Sequence, residues 1–196
     1  MRRRSPWFVL ARVSVRNITA EAVPGNVIEG LSVRLASRAE LLQAAEEKPD
    51  ALSTDFVNAA LDRGDICVAA FDGEHLVGFI WGSFSTAPHS DGLWVKAEHP
   101  YRYGDKSFVE PQYRGQRLVF ALQRARDMVC LERGYPLNVG FIETHNYPSL
   151  LATIRSGSKR VGYAGYVRLF GRSYPFRTPG VVPHTFQFYR REVPPS

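Results

Sequence analysis

Residues 109–118 read VEPQYRGQRL, and they stand directly ahead of the chain's most regular helical run. A strand ending at Val109 that passes through Pro111 and Gly115 into a helix leaves the first helical N–H groups without intrahelical acceptors. Those groups, from about Gly115 to Leu118, lie at the positive end of the helix dipole, where an anion is stabilised. Gly115 lets a ligand approach the main chain closely, and Arg114 and Arg117 supply donors for charge-assisted hydrogen bonds. The chemistry suits a diphosphate held by main chain. It is not a Walker loop, since no G-x-x-x-x-G-K-[ST] is present. On these residues alone an ordinary strand-to-helix turn stays open beside the cradle.

The surrounding chain has 196 residues, enough for one domain with a small extension and for burial of roughly 70% of its surface on folding. We divide it into an N-terminal extension, 1–30, containing an edge strand and a loop, and a domain over 31–196. Hydrophobic content of 44% and charged content of 22% fit a globular protein, and two cysteines, Cys67 and Cys130, make no disulfide framework. The net charge of +6 is unevenly spread: residues 155–191 hold eight Arg or Lys and no Asp or Glu, which favours an anionic ligand or partner. Arg2, Arg3 and Arg4 imitate the start of a secretory signal, but Arg12 interrupts the apolar run that follows. No segment reaches the ~20 apolar residues that span a bilayer, so a cytoplasmic protein is expected.

Periodicity predicts a strand over 31–37, a helix capped by Ser37 with Glu40 as its capping-box partner, and a second helix from Ser53 to Arg63 ended by Gly64. Residues 66–85 read as a hairpin around Asp72-Gly73. More strand is expected over 92–111, interrupted near Pro100 and Gly104. The main helix should run from Gln116 to Arg133, with Leu118, Leu122, Ala125 and Val129 on its apolar stripe and Arg124, Arg126, Asp127 and Arg133 elsewhere. A strand over 137–144 leads to a short helix capped by Asn146, and residues 160–190 read as two strands around RTPG. The fold class is α/β or α+β: one mixed, mostly antiparallel sheet of six to seven strands, splayed in the middle and flanked by about four helices.

In this order of elements, VEPQYRGQRL resembles the acyl-CoA-binding motif of the Gcn5-related N-acetyltransferase (GNAT) superfamily, V-x-P-x-[aromatic]-R-G overlapping [QR]-x-x-G-x-[GA]. Gln112, Arg114 and Gly115 match. ETHNYPSLLATIRSG (143–157) resembles the family's later motif, with Asn146 opening a helix and the small Ser149 three positions on. The resemblance implies acetyl-CoA or another acyl-CoA as co-substrate, its pyrophosphate on the amides of the loop, and its pantetheine arm along the splayed strand. The cofactor positions it implies are Phe108, Val109, Gln112, Arg114, Gly115, Gln116, Arg117, Asn146 and Ser149. Three positions depart from the pattern. Arg117 stands where the family has Gly or Ala, Val119 where many members have a second glycine, and Thr153 where a tyrosine often protonates the leaving thiolate.

Acyl transfer from a thioester to an amine needs a neutral amine, a donor for the oxyanion and a departing thiolate. An N–H near Phe108 or Val109 suits the oxyanion. Glu143 and His145, at the end of the strand before Asn146, are the leading candidates for the base. Glu98 and Tyr103 complete the catalytic set. Five histidines show no ligand spacing, so no metal is expected. The acceptor expected is the primary amine of a small molecule, amino-sugar or amino-acid-like, with a homodimer plausible and no membrane span. One alternative is a longer-chain N-acyltransferase fed by acyl-CoA or by an acyl carrier protein docked on residues 155–191. Another is a non-catalytic CoA-sensing or partner-binding module. Nucleic-acid binding through the aromatics and arginines of 163–177 is the weakest reading.

Overall fold

The computed structural model describes residues 7–20, 29–90 and 92–191. The Arg2–Arg4 run and most of the loop expected before Gly30 lie outside these residues. The elements are β1 (Phe8–Asn17), β2 (Leu31–Leu35), α1 (Arg38–Glu47), α2 (Thr54–Asp62), β3 (Ile66–Asp72), β4 (His75–Ser83), β5 (Thr86–Ser90), β6 (Leu93–Lys96), β7 (Tyr101–Val109), α3 (Leu118–Glu132), β8 (Leu137–Glu143), α4 (Tyr147–Arg155), β9 (Lys159–Leu169), β10 (Arg172–Arg177) and β11 (Gln187–Arg190). Two 3₁₀ turns, Pro111–Tyr113 and Pro179–His184, join them. The chain forms two compact units interleaved along the sequence: Met1–Asn17, Phe84–Tyr103 and Leu137–Ser196 in the first, Ile18–Ser83 and Gly104–Pro136 in the second. The expected division at residue 30 does not follow these units.

In the first unit the strands run in the order β10-β9-β1-β8-β7, and β11-β6-β5 form a small antiparallel sheet. All neighbours of the larger group are antiparallel except β7 and β8. That parallel ladder holds Tyr101↔Leu137, Arg102↔Asn138 and Tyr103↔Val139. Beyond Val139, β8 stays paired with β1 as far as Ala11↔Glu143, while no further pair joins it to β7 among the described residues. Aromatic rings fill the core: Phe141, Tyr166, Phe186 and Phe188 meet at centroid distances of 4.9–5.8 Å. β1 is a correction to the sequence reading. It is no edge strand, because β8 and β9 flank it on both sides.

The second unit carries β2-β3-β4 with β7 next to β4, and helices α1, α2 and α3. Among the described residues the strand count is therefore higher than expected, while four α-helices agree. Ser37 and Glu40 form the capping box of α1, and Ser53 caps α2 by accepting from the Phe56 N–H. The hairpin forms one residue later than expected, with Gly73 (φ 59°) and Glu74 in the turn between the pair Asp72↔His75, and β7 runs through Gly104 without a break. α3 buries Leu118, Ala121, Leu122 and Cys130, but also Arg126 and Asp127, which the sequence placed on the polar side. Arg126 reaches the carbonyl of Trp81 at 3.0 Å and passes its stem beside Gly82, whose missing side chain leaves room for it. The turn between the late strands falls at Phe170-Gly171 rather than at RTPG, which instead leads into the second 3₁₀ turn.

Candidate acyl-CoA site

The loop from Val109 to Leu118 lies in the second unit, and fixed side chains set its shape. Glu110 is 7% exposed, its N–H donates to the Val77 carbonyl at 3.0 Å, and Lys48 Nζ and His75 Nε2 both reach its Oε1 at 3.2 Å. Gln112 donates to the other carboxylate oxygen at 2.7 Å. The Tyr113 hydroxyl donates to Asp72 at 2.7 Å, which raises its pKa by stabilising the protonated phenol beside a carboxylate. Arg114 Nε closes back on the Val109 carbonyl at 3.0 Å, and Gln116 does the same on the Gln112 carbonyl at 3.0 Å. Several polar side chains of the motif thus hold the loop itself. Sequence reasoning did not find the partners Lys48, His75 and Asp72, because nothing in the spacing ties them to residue 110 or 113.

What the loop presents is main chain. Gly115 is left-handed at φ 78°, with open space where a side chain would start. Arg117 is left-handed at φ 61° and occupies the N-cap of α3, which begins at Leu118 rather than Gln116, and no side chain caps it. Among the described residues, the N–H groups of Gly115, Gln116, Arg117, Leu118 and Val119 make no close backbone hydrogen bond in this turn; the first amide of the stretch that does is Phe120, on the Arg117 carbonyl at 3.0 Å. Loosely held donors in succession at an uncapped helix start suit an anion with several oxygens. The Arg117 guanidinium is exposed and has no hydrogen-bond or ion-pair partner among the described residues. Phe108 packs inward on Phe79 at 5.5 Å, so only its main chain is offered to a ligand.

Asn146 and Ser149 lie in the first unit with Glu143 and His145. The Asn146 side chain accepts from the Ser149 N–H at 3.3 Å, the capping role expected at the start of α4. His145 is 80% exposed and lies 3.3 Å from a Glu143 carboxylate oxygen. Glu98 is held elsewhere, by Lys96 at 2.6 Å and through its N–H by Thr185 at 3.0 Å. Tyr103 is 7% exposed, its ring parallel to Phe141 at 6.0 Å, which is a core position. Thr153 donates its hydroxyl to the Ser149 carbonyl at 2.8 Å, one turn back in its own helix.

Solved structures share this architecture. A Drosophila protein superposes with a TM-score of 0.58 at 13% identity, over 84% of this chain and 52% of its own. A tandem GNAT protein from the clavulanic acid biosynthesis pathway gives 0.53 at 14% identity, over 93% of this chain and 54% of its own. An aminoglycoside N-acetyltransferase in complex with CoA gives 0.50 at 16% identity, over 65% and 86%. The chain spans about half the length of the first two. No protein-family model and no curated protein matches the sequence. The fold is that of the Gcn5-related N-acetyltransferases, as the two sequence motifs imply.

Proposed function

We propose that this protein is an acyl-CoA-dependent N-acyltransferase that moves an acetyl group from acetyl-CoA to the primary amine of a small, amino-sugar or amino-acid-like molecule. The observation that carries this is the uncapped start of α3, where the amides from Gly115 to Val119 make no close backbone hydrogen bond among the described residues. They would hold the diphosphate, with Arg117 adding charge and the Arg114 Nη groups within the same loop. A matching topology supports the reading at the level of fold, and two buried free cysteines accord with a reducing cytoplasm. In the transfer, the amine nitrogen bonds to the thioester carbonyl carbon, the C–S bond breaks, and CoA leaves as thiolate that then takes a proton. The proton lost by the amine goes to a base, for which the Glu143–His145 pair is our candidate. The Thr153 hydroxyl is far too weak an acid to replace the family's tyrosine, so water or another group must protonate the thiolate.

Thr153 also favours a second reading, a module that binds CoA without turning it over. One experiment separates them. Acetyl-CoA at 100 Kd should stabilise the protein by about 2.7 kcal/mol in a thermal shift. Thiol release with an amine library then reports turnover. A shift without thiol release selects the binding module; no shift with acetyl-CoA, CoA or longer acyl-CoAs removes both readings.

A further inference from the structure

The hairpin of β9 and β10 carries features that acyl transfer leaves unused. Its two-residue turn, between the pair Leu169↔Arg172, puts Phe170 at φ 50° and Gly171 at φ 73°. Asn-Gly is the usual choice for such a turn, and a bulky residue in the left-handed region is an outlier. Phe170 is nevertheless 100% exposed, so it gains no burial within the chain that would offset its conformation. Leu169 is 49% exposed beside it. Just ahead of β1, beside Arg168, stands Trp7, 73% exposed, whose carbonyl accepts from the Arg168 N–H at 2.7 Å. Arg172 is exposed on the other side of the turn, residues 155–191 hold eight cationic and no acidic side chains, and Arg2, Arg3 and Arg4 precede Trp7 in the sequence.

We propose that this hairpin tip docks on an anionic lipid bilayer, with Phe170 and Leu169 entering the headgroup–acyl boundary, Trp7 at the interface and Arg172 against lipid phosphates. Aromatic residues favour that boundary, and each nearby cation adds attraction to anionic lipid. The convex end of a hairpin has no walls of its own, so its occupant must surround it, which a fluid bilayer does from any side. A second copy would bring the same positive field against itself. A single nucleic-acid strand would stack on the Phe170 ring but would leave Leu169 without gain. No helix among the described residues is long and apolar enough to cross a membrane.

The test is co-sedimentation of the full chain with vesicles of phosphatidylcholine alone and of an equal mixture with phosphatidylglycerol. Binding to the anionic vesicles only, weakened by salt, is expected, with a blue shift of emission that Trp7→Phe removes. Phe170→Asn should weaken lipid binding roughly tenfold or more, the effect of withdrawing one buried aromatic. The same change should keep or raise Tm, because Asn suits the left-handed turn, so lost binding cannot be laid to misfolding. No sedimentation, equal binding to neutral vesicles, or parent-like binding by Phe170→Asn would overturn the proposal. So would a change in solution mass or in single-stranded DNA retention on Phe170→Asn while vesicle binding stays as before.

Discussion

Arg117→Gly should move stability and ligand affinity in opposite directions. Arg117 holds φ 61°, ψ 11° at the start of α3, a conformation that costs a side-chain-bearing residue about 1–2 kcal/mol and glycine almost nothing. Against that relief, glycine adds freedom to the unfolded chain worth about 0.4–1 kcal/mol. The net for the free protein is a gain of up to about 1.5 kcal/mol, or a rise in Tm of at most a few degrees at roughly 2–4 °C per kcal/mol for a chain of this size. The guanidinium, exposed and without a partner among the described residues, loses no contact with them. With acetyl-CoA bound, the variant forgoes a charge-assisted contact worth about 1.5–3 kcal/mol, so Kd should rise by roughly 10- to 150-fold. Differential scanning fluorimetry without ligand and calorimetric titration with acetyl-CoA read the two effects separately. A variant that melts well below the parent and binds as tightly would refute both halves: the left-handed arginine would be no burden, and its charge would not meet phosphate.

Gly165→Ala should cost about 3 kcal/mol and lower Tm by several degrees, because an added Cβ would overlap the Val9 carbonyl oxygen on β1 and press on Phe176 Cζ at 2.9 Å; unchanged melting would show that β1 and β9 yield freely. Glu110→Gln should lose about 2 kcal/mol and weaken acetyl-CoA binding as well, since it leaves Lys48 facing a neutral group beneath the loop; a loss of stability with intact affinity would separate the loop's shape from its anchor. Glu40 is held at about 2 by Arg34 first and then by the Ser37 N–H and hydroxyl, so its contribution is present above the ordinary carboxylate range and fades as pH falls towards 2. Acid unfolding should therefore show Glu40→Gln below the parent by about 0.5–1 kcal/mol at pH 7 and equal to it near pH 2; a gap that persists at low pH would remove the pairing as its cause. Glu143→Gln should depress thiol release at saturating amine while leaving the acetyl-CoA thermal shift unchanged, and an unaltered turnover would take Glu143 out of the base's role.

The elements legible in the sequence are those whose cause is local. Ser37 and Glu40 meet three residues apart, the hairpin closes one residue past the expected Asp72-Gly73, at Gly73-Glu74 between the pair Asp72↔His75, and Gly115 needs only its own φ, so spacing nearly suffices to find them. β1 shows the limit. Its alternation of buried and less buried residues tells that one face is covered, but its partners β8 and β9 are more than a hundred residues away, and periodicity says nothing of who flanks a strand. Arg126 and Asp127 were misplaced for a related reason: charge reads as a solvated face unless a distant carbonyl, here that of Trp81, is known to receive it. The candidate site divides along the same line. Its loosely held amides follow from a helix that begins without a cap, which the sequence near Gly115 and Arg117 already carries. The bolt beneath them joins Glu110 to Lys48 and His75, residues drawn from a helix end and a strand start that only the fold brings together. Thr153 shows what each level supplies. Sequence marks it as a departure from the family's tyrosine, and geometry adds that its hydroxyl, a much weaker acid than a phenol, is turned onto the Ser149 carbonyl of its own helix.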